Sequence, residues 1–173
     1  MEIIVNNKYN LKDSDMDEVV KRVKILIINS SQEMLLGYSH NAYQFIGGHV
    51  EDESFDEAII REVKEETGIE LNKNSTYLPF ATFNGYYKDW PSVGKNRKTE
   101  IYYYEVYSDE LPNLNKTNYT EHEKEGNFEL RYLKLEDVLM EINHNAFIYG
   151  DNNGIAKEML ELLKIYFDSK NIQ

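Results

Sequence analysis

Between positions 47 and 69 the chain reads GGHVEDESFDEAIIREVKEETGI, and no other stretch restricts the fold as tightly. Its Gly-Gly pair frees the backbone for a sharp turn after a short apolar run. Ser54 with Glu57 makes a capping-box pair and Gly68 is a helix stop, so the spacing predicts a helix over 54–67 with Ala58, Ile59, Val63 and Thr67 on one face. Glu62, Glu65 and Glu66 then stand at i, i+3 and i+4 on one stripe, where like charges repel unless a cation lies among them. Oxygen-only donors suit a hard divalent ion, Mg²⁺ or Mn²⁺, which keeps several waters and is completed by substrate phosphates. A Glu- and Lys-rich helix is more often a plain solvated face. This one is pinned at both ends, beside a strand-to-helix loop.

Around this segment the periodicity is that of a mixed α/β chain. Residues 23–28 (VKILII) and 34–38 read as strands joined by the turn 29–32, with a third short strand at 43–46. Two aromatic-rich strands, 77–87 and 98–107, flank a loop that holds Trp90, Pro91, Gly94, Lys95 and Arg97, and a mixed or antiparallel sheet follows. Residues 109–127 are polar without usable periodicity, a connection long enough to form part of an active-site rim. A strand at 128–135, a short helix at 136–142 and an amphipathic helix at 155–167, after the turn 150–154, complete the order. No repeat or boundary interrupts it, and a single domain over 1–173 is expected.

Composition removes several classes of function. Lys+Arg 19 against Asp+Glu 31 gives a formal charge of −12, a field that repels nucleic-acid backbones and anionic membranes. With no cysteine there is no disulfide framework, thiolate nucleophile or thiolate zinc site. The start, MEIIVNNKYNLKD, lacks the apolar stretch of a signal peptide, and no apolar run approaches membrane-spanning length. A soluble, cytoplasmic protein is the expectation.

Residues 47–69 resemble the signature of the Nudix hydrolases, G-x5-E-x7-R-E-U-x-E-E-x-G-U, with U a bulky apolar residue. Gly47, Glu53, Arg61, Glu62, Val63, Glu65, Glu66, Gly68 and Ile69 fill every fixed position in order. The resemblance implies an α/β/α sandwich with a mixed, mainly antiparallel sheet, the signature forming a loop–helix–loop. It also implies divalent-metal-dependent hydrolysis of a phosphoanhydride (pyrophosphate) bond in a nucleoside diphosphate linked to another moiety, by metal-activated water. Carried over by position, Glu62, Glu66 and Glu65 are metal ligands with the backbone of Gly47, and Glu65 and Glu62 are also catalytic candidates. Arg61 orients the cluster and Glu53 fixes the loop against it. Because Gly47 rather than Gly48 gives the spacing, the loop 48–52 reads as one residue shorter than in many members. The carbonyl facing the metal is then that of Ile46 or that of Gly47.

The signature leaves open which group takes the proton of the attacking water. Outside the helix the candidate is Glu125, with Glu121 close by in the same acidic run and Glu129 just beyond. His49 in the loop and Arg97 in a local basic group are candidates for phosphate, and Tyr87 and Trp90 for stacking a base. Their plainer roles are an exposed loop histidine, a solvated hairpin tip and sheet-face packing. The expected partner is a small-molecule nucleotide, with no nucleic acid and no membrane, and homodimers are common in the family. The competing reading is a non-catalytic nucleotide-binding or sensor domain on the same fold. Nucleoside triphosphates, ADP-ribose, nucleotide sugars and dinucleoside polyphosphates all present the same diphosphate, so the substrate stays open.

Overall fold

Residues 18–28 decide the architecture, because the strand they form is buried on both faces. Val23, Ile25 and Ile27 enter one apolar cluster while Leu26 and Ile28 enter another, as the two-residue period of a strand requires. The arrangement is seen in a computed structural model that describes residues 2–71, 77–152 and 154–170. Its strands are β1 (Glu2–Asn6), β2 (Glu18–Ile28), β3 (Glu33–Ser39), β4 (Ala42–Gln44), β5 (Leu78–Tyr87), β6 (Arg97–Tyr107) and β7 (Glu129–Lys134). Its helices are α1 (Phe55–Thr67), α2 (Glu121–Glu125), α3 (Val138–Tyr149) and α4 (Ile155–Lys170).

The strands form one mixed sheet in the order β1-β5-β6-β2-β3-β4, with β7 paired to β3. The β1–β5 and β2–β6 pairings are parallel and the other four antiparallel. Helix α1 covers one face, packing Ala58, Ile59 and Val63 against Val23, Ile25 and Leu35. Helices α3 and α4 cover the other, where Val138, Ile142, Met159, Leu162 and Leu163 meet Leu26, Ile28 and Tyr103. Each such aliphatic side chain, fully buried, contributes about 1.5–3 kcal/mol. This is the expected α/β/α sandwich. Glu105 lies buried on the α4 side, satisfied by the Tyr166 hydroxyl at 2.5 Å and Lys170 Nζ at 2.7 Å, which anchors the end of α4 to the sheet.

Several expected boundaries shift. Strand β2 begins at Glu18 rather than residue 23, because its charged first half pairs in parallel with β6 from Glu18↔Arg97 onward. Strand β1 was not expected at all: Ile3 and Val5 are exposed, so no buried stripe marks it. The polar stretch 109–127 contains α2, whose capping box is Thr120 with Glu123. The short helix read at 136–142 starts at Val138 and continues to Tyr149. The turn read at 150–154 includes Asn153, which lies outside the described residues. Among the described residues no helix is long and apolar enough to cross a membrane.

Candidate active site

Helix α1 is set by its own sequence before any tertiary contact. Ser54 Oγ accepts from the Glu57 amide at 3.3 Å, and the Glu57 carboxylate accepts from the Ser54 amide at 2.9 Å. At the other end Gly68 takes φ 71°, a left-handed conformation open to glycine, and its amide bonds the Lys64 carbonyl at 2.8 Å. Burying Ala58, Ile59 and Val63 fixes the rotation of the helix about its axis. That rotation leaves Glu62 and Glu66 buried and Glu65 half-buried on a neighbouring stripe.

The glycine loop meets this stripe along β2. The Ile46 and Gly48 carbonyls accept from the Ile25 and Val23 amides, at 2.8 and 3.0 Å, so both are spent on the sheet. Gly47, at φ 125° between them, turns its carbonyl to Lys24 Nζ at 2.5 Å, and Lys24 also donates to the Phe45 carbonyl at 3.0 Å. The Gly47 amide donates to Glu66 Oε2 at 3.3 Å. Of the two carbonyls left open by the sequence, that of Gly47 is therefore the one not engaged by a backbone amide.

Arg61 ties loop and helix together. It donates to Glu53 Oε1 at 2.6 Å, Glu62 Oε1 at 2.8 Å, Glu65 Oε2 at 3.2 Å and the His49 carbonyl at 2.8 Å. The Arg61 guanidinium holds the Glu53 carboxyl below its usual range, while burial pushes Glu62 up. Burial also pushes Glu66 up to about 8, against the opposing pull of Lys24. Lys24 is in turn pushed down by its own burial, with Glu66 opposing. His49 Nε2 faces Arg22 Nη2 at 3.1 Å. Arginine has no acceptor, so this contact requires a lone pair on Nε2 and places the ring proton on Nδ1. Burial, then Arg22, lowers the His49 pKa and favours the same neutral ring.

The remaining candidates are more dispersed. Arg97 Nε bonds Glu18 Oε2 at 2.8 Å. Tyr87 and Trp90 line a cavity of about 230 Å³ with Tyr9, Tyr86, Lys8 and Lys88, at the β1–β5 edge. Glu125 is exposed on α2, Glu121 pairs with Lys124 at 2.7 Å, and Glu129 pairs with Arg131. The α2 carboxylate whose charge acts on Glu66 is Glu123, half-buried and held by the Thr120 amide at 2.6 Å. Helix α2 is docked by His122, whose ring stacks on His40 at 4.6 Å, and by the His40 amide, which bonds the Gly126 carbonyl at 3.1 Å.

The profile of the NUDIX domain matches residues 19–149, the whole of this loop–helix arrangement included. The chain belongs to the Nudix family of hydrolases. Similar solved structures include the E. coli ORF135 protein, at 20% identity and TM-score 0.58 over 92% of this chain and 96% of that one. An Ap4A hydrolase of C. elegans in a binary complex gives 19% and 0.54 over 88% and 98%, and a MutT protein from Bacillus halodurans 20% and 0.52 over 70% and 72%. At these identities the likeness is one of fold. No curated protein sequence matches the chain.

With the family in place, α1 is the Nudix helix and its oxygen donors can be weighed as metal ligands. Among the described residues no three Asp, Glu or His side chains converge on one point as a ready cage. The donors are instead held by the protein's own cations, Glu62 and Glu65 by Arg61 and the Gly47 carbonyl by Lys24. In kind the set fits a Nudix metal, since Mg²⁺ takes one or two carboxylates and leaves the rest of its shell to water and phosphate. The sequence did not single out Arg22 and Lys24, which the fold brings to the glycine loop, and it ranked Glu125 and Glu121 ahead of Glu123 within their acidic run. Lys24 interrupts an apolar run, the alternation of a strand with one polar site on its second face. Glu123 is the last residue of a T-x-x-E capping box.

Proposed function

We propose that this Nudix protein hydrolyses a phosphoanhydride bond in a nucleoside diphosphate linked to another moiety. Glu62, Glu66 and Glu65, with the Gly47 carbonyl, would hold Mg²⁺ or Mn²⁺, which supplies charge neutralisation at the phosphoryl oxygens and a lowered pKa for a bound water. The observation that carries the reading is the Arg61 hub, which draws Glu53, Glu62, Glu65 and the His49 backbone into one constellation. In this reading Arg61 acts as a positioning residue, holding the Glu62 and Glu65 carboxylates toward the loop, and Glu53 holds Arg61.

The proton released by the attacking water goes to a carboxylate at this face. Glu65 is the least buried of the three helix carboxylates, which favours it over Glu66 as an exchangeable acceptor. Glu123 and Glu125 bring a second source of carboxylate from α2, and Glu123 has the stronger support because its charge acts on Glu66. His49 and Arg97 face the phosphates in this proposal, and Tyr87 and Trp90 the base, at the β1–β5 edge cavity. The similar structures named as MutT and Ap4A hydrolase are consistent with a nucleotide substrate.

The test is a panel of nucleoside triphosphates, ADP-ribose, nucleotide sugars and dinucleoside polyphosphates, with Mg²⁺ or Mn²⁺ and with a chelator control. Metal-dependent cleavage at the anhydride, with products separated by chromatography, is the expected result and names the substrate class. A nucleotide that raises the melting temperature without being cut makes the protein a binding domain instead.

A further inference from the structure

Helix α3 is apolar on two opposite faces. Val138 and Ile142 are buried in the core with Leu139 and Ala146 packed against it, while Met140, Phe147 and Ile148 are exposed on the far side, Phe147 by 87%. Those three stand at i, i+7 and i+8, one stripe along the helix. A helix that is apolar all round is ordinarily buried all round, and the outer side of α3 is bare. Beside the stripe a groove of about 440 Å³ runs between the end of α3 and α4. Ala146 and Leu160 line it together with Asp151, Lys157, Glu161 and Lys164. Two acids thus meet two lysines, a locally neutral face on a chain of formal charge −12. Among the described residues none of these four has an ion pair in its own chain, although the Asp151 carboxylate accepts from the Lys157 amide at 2.8 Å.

The order of those charges is self-complementary. Lys157 and Glu161 lie one turn apart on α4, so a second α4 laid antiparallel about a two-fold axis sets each Lys157 opposite the partner's Glu161. The same approach brings each Lys164 toward the partner's Asp151. A parallel approach sets every residue against its own copy, like charge on like. Phe147, next in sequence to Ala146 of the groove lining, is the projecting side chain, and the groove has room for an aromatic ring. We infer that the α3–α4 face docks a second copy of this chain, the Phe147 ring of each entering the groove of the other. Its centre is an aromatic anchor and its rim four ion pairs, two kinds each made twice. The face lies on the side of the sheet opposite α1, so pairing leaves the glycine loop and the carboxylate helix open. The inference is independent of the hydrolase reading.

Sedimentation equilibrium on the full chain tests it, with a reversible, concentration-dependent dimer as the expected result. Phe147→Ala removes the anchor from an exposed helix position, so the melting temperature of the dilute protein is kept while self-association weakens about tenfold or more. Lys157→Glu and Glu161→Lys each turn two symmetry-related attractions into repulsions and should each weaken the dimer about tenfold. Mixed in equal amounts, these two variants restore pairing as a heterodimer, because each reversed charge then meets its complement; a charge effect within one helix cannot do this. A chain that stays monomeric up to about 0.5 mM overturns the inference and leaves the groove to a different protein. So does a dimer indifferent to Phe147→Ala, or a mixture of the two charge variants that associates no better than either alone.

Discussion

The Gly47 amide donates to Glu66 Oε2 at 3.3 Å, joining the start of the glycine loop to the last turn of the helix that follows it. Strand end, loop and helix are thereby one unit, and a change at either residue is felt at the other.

Gly47 and Gly48 should respond to alanine in opposite ways. A Cβ on Gly47 would meet the Val23 carbonyl at 2.3 Å, and φ 125° is unsuited to a side chain, so Gly47→Ala should cost about 2 kcal/mol or more. A Cβ on Gly48 would meet Glu62 Oε1 at 2.6 Å, the tip of a side chain that can swing away. Gly48→Ala should therefore keep most of the stability in urea titrations while weakening Mn²⁺ uptake.

Removing Arg61 leaves three carboxylates without their shared partner. The guanidinium is about a quarter exposed, between the surface and buried regimes, so Arg61→Ala should lose about 2 kcal/mol and Arg61→Lys rather less. Activity should fall at least about tenfold in both, because an ammonium cannot span Glu53, Glu62 and Glu65 together.

Glu66 makes the metal-free protein pH-sensitive. Its ordinary value is 4.5 and its folded value about 8, so between them the folded protein keeps a proton that the unfolded chain has released. Glu66 therefore makes stability fall as pH rises through that window, and the downward shift of Lys24, whose proton the unfolded chain keeps, offsets part of the fall. Melting temperatures in chelator should decline from pH 5 to pH 8, and the decline should vanish in Glu66→Gln. A parallel slope in both proteins would assign the effect to other groups.

The Ser54 cap acts on the helix and not on the chemistry. Ser54→Ala should cost about 1 kcal/mol in denaturant while leaving the metal dependence of hydrolysis unchanged.

The layers of the fold and the Nudix helix were legible because each rests on a local pattern: a Ser54–Glu57 cap, a Gly68 stop, and apolar residues at helical or strand spacing. What was not legible depends on partners distant in sequence. The first half of β2, with Glu18, Lys21 and Arg22, looks like a polar lead-in, and only the parallel pairing with β6 makes it a strand. Lys24 and Arg22 gain their meaning from loop carbonyls and a histidine more than twenty residues on. Glu125 and Glu123 are acids of the same polar run; the Thr120 capping box marks Glu123 locally, but that its charge reaches Glu66 depends on where α2 docks.

The most direct test compares the intact protein with Glu66→Gln on the best substrate of the panel, across a Mg²⁺ titration, with Mn²⁺ uptake measured on the same samples. Hydrolysis that rises with metal and falls about a hundredfold or more in Glu66→Gln, together with loss of Mn²⁺ uptake, is the predicted result. Cleavage that proceeds equally in chelator, or that survives the substitution with the metal still bound, contradicts the assignment of the Nudix helix as the metal-holding element.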